Sequence, residues 1–235
     1  MAKKKRITRK QLLKEPDEFL TFSGKAIEFL RTNQRQISYA LIGLAVIVIG
    51  FAAFRYFSNL SERRAYALLN EGLVHYTNQA SGQKTGHFNE VAKESFGKLV
   101  REYSSTNAGK LGLALYGDMN YKEGSYDKAV EVYEKALKTF SNNKALQPLM
   151  WNNLAYAYEG KQDYNAALQC WEKIVNLEGN LAKTDAYFNQ GRMHEILNNR
   201  GKAIEAYAKV VNDFPDSVYA EIAQDKVMRL KGDFS

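Results

Sequence analysis

The chain has 235 residues, a formal charge of +7 and a single cysteine, Cys170. One cysteine excludes an internal disulfide and any cysteine-based metal cluster. Residues 1–57 hold eleven Lys or Arg against four Asp or Glu, whereas the remainder holds 22 of each. The basicity therefore belongs to the N-terminal end, and no basic groove for RNA or DNA is indicated in the rest of the chain.

Residues 1–35 read as a basic cytoplasmic tail. MAKKKRITRK opens it, with a topogenic role and attraction to anionic lipid. After Pro16, the residues Phe19, Leu20, Phe22, Ala26, Ile27 and Leu30 fall mostly on one helical face, with Asp17, Glu18, Lys25 and Glu28 elsewhere. This is an amphipathic helix beside a membrane, set either on lipid or on a partner's surface.

From Gln36 to Phe54 nineteen residues carry no charge, bounded by Arg35 and Arg55. As a helix the run is roughly 28 Å long, close to the hydrocarbon thickness of a bilayer. Ten of its residues are Leu, Ile, Val or Phe. At about 0.3–0.6 kcal/mol each, they favour insertion by roughly 3–6 kcal/mol. A helix apolar on every side is difficult to bury in a small helical domain. The run also exceeds the apolar core of a cleaved signal peptide, so residues 36–57 are expected to form an uncleaved signal anchor, with Phe54, Tyr56 and Phe57 at the far interface. The basic residues preceding the run hold the tail in the cytoplasm and direct the large domain to the exported side.

Residues 58–110 read as a degenerate helical hairpin, with Leu68, Gly72 and His75 on one helix and Ala92, Phe96 and Leu99 on the next, around the loop composition SGQKTG. From 111 to 215 the chain repeats. Trp151, Leu154, Ala155 and Tyr158, followed by Tyr164, Ala167, Trp171 and Ile174, fit the tetratricopeptide pattern. A shift of 38 residues toward the N-terminus brings up Leu113, Tyr116, Gly117 and Asn120, then Tyr126, Ala129 and Tyr133. A shift of 36 the other way brings up Tyr187, Gln190, Gly191 and His194, then Ala203, Tyr207 and Val210, closed by Pro215. Residues 216–235 supply the single helix that an open stack needs over its last apolar face. The expected fold is all-α: an N-terminal transmembrane helix followed by a tetratricopeptide-repeat α-solenoid.

Gly117, Ala155 and Gly191 let the two helices of a unit approach, and the aromatic residues fill the space beside them. Residues just past each anchor turn away from that packing face and are expected to line a concave groove. They are Leu111, Ala114, Asp118 and Tyr121 in the first unit, Leu149, Asn152, Tyr156 and Glu159 in the second, and Asp185, Phe188, Arg192 and Glu195 in the third. Their mixture of aromatic, apolar and charged groups suits an extended or helical peptide. Replacing Tyr156 and Phe188 by Ala is expected to weaken partner capture without unfolding the domain.

No catalytic pattern emerges. His194 and Glu195 begin like HExxH but continue ILNN, so the second histidine is missing, and GNLAKT and SGQKTG lack the phosphate-loop spacing. His75 and His194 occupy scaffold positions and are expected in the core, and no cofactor or metal is expected. The runner-up to a binding module is an enzyme or a sensor with a site outside these motifs.

Taken together, the tail, the single anchor and the exported repeats resemble the ancillary SecYEG translocon subunit family of bacteria, with local likeness at AIEFLRTNQRQ and FRYF. The resemblance implies an inner-membrane protein with a periplasmic C-terminal domain, whose partners are translocon subunits, periplasmic chaperones or newly exported clients. The ending FPDSVYAEIAQDKVMRL also looks like periplasmic repeat proteins of cell division or outer-membrane assembly, so an envelope scaffold is the alternative. Mitochondrial import receptors, whose repeats clamp a terminal carboxylate with Lys, Asn and Arg, fit less well. The corresponding positions here are Ala114, Asp118, Asn153, Asp185 and Asn189, which would repel a carboxylate.

Overall fold

A computed structural model describes residues 18–80, 86–177 and 182–232. It divides into two units, Met1–Asn59 and Leu60–Ser235. The run MAKKKRITRK, Pro16, Asp17 and residues 81–85 of the SGQKTG segment lie outside the described residues, as do the side chains of Phe19, Leu20 and His87.

In the first unit, α1 (Glu18–Thr32) gives way at Asn33 to α2 (Gln34–Ala80). There Thr32 Oγ1 donates to the Glu28 carbonyl at 2.8 Å and Asn33 Nδ2 to the Phe29 carbonyl at 3.0 Å, so both side chains bond back to the preceding turn. Phe22, Ile27, Phe29 and Leu30 are exposed on α1, Phe29 joining the residues expected from the helical periodicity. From Tyr39 to Phe57 every large apolar side chain on α2 is 57–73% exposed. By length and composition this helix is long and apolar enough to cross a membrane.

From Leu60 onward the chain forms helical hairpins. The last part of α2 is followed by α3 (Gly86–Glu102), α4 (Asn107–Lys122), α5 (Tyr126–Thr139), α6 (Gln147–Gly160), α7 (Tyr164–Asn176), α8 (Lys183–Ile196), α9 (Arg200–Asp213) and α10 (Ala220–Gly232), with no strand among the described residues. From α3 on, each helix packs on the next, and α4 also approaches α6. This is the expected all-helical tetratricopeptide solenoid.

Each repeat turns between its two helices in the same way. Gly124, Gln162 and Asn198 stand at equivalent places with φ of 78°, 64° and 58°. The next amide reaches back to close the turn: Ser125 to Asn120, Asp163 to Tyr158 and Asn199 to His194, at 2.8, 2.9 and 2.7 Å. This left-handed cap satisfies helix-end carbonyls that would otherwise be orphaned, and only at Gly124 does it come without the Cβ penalty. Helix starts are capped too. Thr106 Oγ1 accepts from Gly109 at 2.9 Å, Asp163 Oδ1 from Ala166 at 3.0 Å, and the Glu62 carboxylate on α2 from Asn107 at 3.0 Å.

Small residues let an aromatic ring cross between the helices of each unit. A Cβ on Gly117 would stand 2.5 Å from the Tyr133 ring, one on Gly191 2.5 Å from Tyr207, and one on Gly72 would meet the Phe96 ring. Ala155 and Trp171 occupy the equivalent places in the remaining repeat, within one buried cluster. Phe96, Tyr133, Trp171 and Tyr207 are all essentially buried. At the far end Ala223, Val227 and Leu230 of α10 cover Tyr207 and Val210.

Candidate peptide-binding groove

The first helices of the three repeats, α4, α6 and α8, carry the twelve residues expected to line a groove. Leu111 and Leu149 are 47% and 50% exposed. Ala114, Asp118, Tyr121, Asn152, Tyr156, Glu159, Asp185, Phe188, Arg192 and Glu195 are half-buried, and none is fully enclosed. Partial burial follows from their position one step around the helix from the anchors that pack inward.

Most of the polar groups on this face bind one another across neighbouring repeats. Arg192 on α8 donates to Glu159 on α6 at 2.6 Å and to Asn189 at 2.6 Å, while Asn189 donates to the Tyr156 hydroxyl at 3.2 Å. Toward the N-terminus Tyr76 of α2 donates to Asp118 of α4, which also pairs with Lys122 at 3.0 Å. Burial and the bonded Asp118 carboxylate push the Tyr76 phenol above its ordinary range. Toward the C-terminus Glu195 accepts from Lys226 of α10 and from Tyr207, both at 2.8 Å. The charge of Asp185 holds the Tyr219 phenol up. These links lace successive repeats together, so their carboxylates and cations are already partnered.

The aromatic residues divide by role. Phe188 stacks on Tyr219 with ring centroids 4.7 Å apart and meets Tyr207 at 5.5 Å. Tyr156 meets Trp171 edge-on at 5.7 Å. Both therefore contribute to packing as well as standing among the groove residues. Tyr121 lies against Tyr126 at 5.6 Å, and burial raises its phenol. Asn152 accepts from the Trp171 indole at 3.4 Å.

Of the scaffold residues, Gly117, Ala129, Leu154, Ala155, Ala167, Trp171, Gly191, Ala203 and Tyr207 are buried. Trp151 and Tyr158 are half-buried, with the Tyr158 hydroxyl bonded to Glu134 at 3.0 Å, and Pro215 is exposed just after α9. His194 is not a core residue, although its place in the repeat suggested one. It lines a cavity of about 550 Å³ with Tyr187, Gln190 and Lys202. Burial and the nearby Lys202 lower its pKa. Cys170 is buried, which pushes its thiol up to about 12. No cluster of three metal-ligating side chains occurs among the described residues.

The sequence reading missed Tyr76, Lys122, Tyr219 and Lys226, which close the face at its two ends. Lys122 was findable, four residues after Asp118 on one helix. The other three come from α2, α10 and the turn before it, and no spacing within a repeat points to them.

Residues 117–180 and 185–217 match family models described as tetratricopeptide repeat. These two segments are similar to tetratricopeptide repeats, in keeping with the helical-hairpin solenoid they form. Residues of this chain are 32% identical over 115 positions to the TPR repeat-containing protein MJ1428 of Methanocaldococcus jannaschii, which covers 48% of this chain and 18% of that protein. They are 26% identical over 118 positions to mitochondrial import receptor subunit TOM70 of Homo sapiens, covering 49% of this chain and 19% of the receptor. The chain thus spans less than a fifth of these curated relatives. A crystal structure of a tetratricopeptide repeat protein from Parabacteroides merdae superposes with a TM-score of 0.59 at 16% identity, over 73% of this chain and 62% of the other, a likeness of fold alone.

Proposed function

We propose that this protein is a membrane-tethered adaptor. Its N-terminal apolar helix is anchored in a bacterial inner membrane, and its repeats, on the periplasmic side, bind protein segments near the Sec translocon. The observation that carries the anchor is the unbroken exposure of the large apolar side chains from Tyr39 to Phe57. A water-soluble chain would leave that surface uncovered at a cost of about 25 cal/mol per Å², whereas a bilayer covers it. The asymmetric positive charge before the helix supports the orientation.

The repeats support partner binding. Leu111 and Leu149 remain half-exposed, and elsewhere on the same face Glu159, Arg192 and Glu195 are engaged within the protein. Such a face takes apolar side chains more readily than terminal carboxylates, since Arg192 is engaged by Glu159 and Asn189. An import-receptor manner of clamping is therefore disfavoured, though TOM70 shares the repeats. Tethering raises the effective concentration of weak contacts, so modest groove affinity suffices.

A photo-crosslinking amino acid at Leu149, used in intact membranes, tests the partner. Crosslinks to translocon subunits or exported polypeptides are expected. Crosslinks confined to division or outer-membrane assembly proteins would move the role to the envelope scaffold. A topology reporter fused after Ser235 should be active on the exported side, and activity in the cytoplasm or release of the protein by carbonate would overturn the anchor.

A further inference from the structure

The opposite side of the repeat stack carries a second surface. Three grooves lie at corresponding places along the repeats, and their second-helix linings are related by the repeat shifts. One lies between α3 and α5, lined by Val100, Arg101, Tyr116, Lys128, Glu131 and Lys135. One lies between α5 and α7 over α6, and one lies along α8 and α9. At the second-helix positions the three share, the difference in lining lies in the side chains.

The middle groove differs in floor and in charge. It has a volume of about 590 Å³, with Leu137, Trp151, Leu154 and Cys170 in its lining. Where the outer grooves present Lys128 and Lys202 it has Ala166, and where they present Glu131 and Glu205 it has Gln169. In the outer grooves three of the four lysines are engaged, Lys202 being the exception among the described residues: Lys128 pairs with Glu131 at 2.7 Å, Lys135 donates to the Val100 carbonyl at 3.4 Å, and Lys209 pairs with Asp213 at 3.5 Å. In the middle groove Lys138 and Lys173 stand exposed at the rim with no ion pair among the described residues. The rim carboxylate, Glu134, is taken by the Tyr158 hydroxyl at 3.0 Å.

We propose that the groove between α5 and α7 is a second peptide-binding site, which seats a bulky apolar side chain of a partner on Trp151 and Leu154 while Lys138 and Lys173 pair with acidic residues flanking it. The volume matches one or two large side chains, the floor is apolar, and the two available cations select the sign of the flanking charge. The site is separate from the groove on α4, α6 and α8 and does not depend on it.

The two tryptophans make the test direct. Trp151 lines the proposed site, whereas Trp171 is buried and touches Tyr156 on the other face. The full-length chain, labelled with 5-fluorotryptophan and held in detergent micelles, is titrated with the N-acetylated peptide Glu-Asp-Leu-Phe-Asp-Glu. Fluorine NMR signals are assigned with Trp151→Phe. A saturable shift of the Trp151 signal alone is expected, with Kd of about 10–100 µM. Lys138→Glu and Lys173→Glu, both surface changes that leave the core intact, should each weaken it about fivefold to tenfold. A peptide with Lys in place of each acid should leave the signal unmoved. Absence of any shift up to about 1 mM, equal binding of the basic peptide, or movement of Trp171 instead of Trp151 would overturn the proposal; the last would point to the inner groove.

Discussion

Gly191→Ala tests the packing rule on which the repeat rests. The new Cβ would lie 2.5 Å from the Tyr207 ring, against about 3.5 Å for ordinary contact, so the ring must retreat by about 1 Å. It has nowhere to go. Tyr207 is 0% exposed, its hydroxyl is held by Glu195 at 2.8 Å, and Phe188 lies 5.5 Å from its ring. Overpacking of this kind costs about 1–3 kcal/mol, and disturbing the Tyr207–Glu195 bond adds about 1 kcal/mol. Alanine's better helix propensity returns about 1 kcal/mol. The net loss expected is about 1–3 kcal/mol, or about 2–4 °C in Tm for each kcal/mol. Thermal unfolding of the full chain in micelles, followed by circular dichroism, measures it. The same substitution made in a Tyr207→Leu background should cost little, because the smaller side chain leaves room. An alanine variant as stable as the parent, or one that loses equally in both backgrounds, would refute the reasoning.

Gln162→Gly should stabilise the protein by about 0.5–1 kcal/mol, because it relieves a left-handed φ of 64° that Gly124 adopts freely in the neighbouring repeat; urea denaturation reads the gain. Phe188→Ala should lower stability by about 2–3 kcal/mol through loss of its stacking on Tyr219 and Tyr207, so any loss of binding must be read beside a melting curve. His194 has a pKa below the ordinary 6.5, and so the unfolded chain binds its proton first as pH falls. Its contribution is present above pH 6.5 and is lost as the pH drops from there toward the folded value. His194→Gln should flatten that part of the stability profile, and an unchanged slope in urea midpoints would rule it out.

The repeat frame was legible because its determinants are local. Gly117, Ala155 and Gly191 recur at fixed offsets from Tyr133, Trp171 and Tyr207, and an α-helix turns that spacing directly into facing positions. The uncharged run from Gln36 to Phe54 was equally plain, since nineteen residues without a charge need no tertiary context to be read. The candidate groove was legible only as a set of positions.

Which of those positions are engaged was settled by the tertiary structure. Asp118, Glu159, Arg192 and Glu195 look like free surface charges in the sequence, yet their partners lie one repeat away or on the flanking helices: Tyr76 for Asp118, Arg192 for Glu159 and Lys226 for Glu195. Such pairs depend on how one hairpin is rotated against the next, and that angle emerges from side-chain packing summed over many contacts. The same holds for the middle groove, where Lys138 and Lys173, without an ion pair among the described residues, belong to different helices and flank one floor only once the stack has formed. Sequence alone determined the helices, their repeat and the apolar segment, because each depends on neighbours within a turn or two. Only the folded stack decided which side chains satisfy one another and which remain open to a partner, because that depends on distances between helices that the chain brings together from afar.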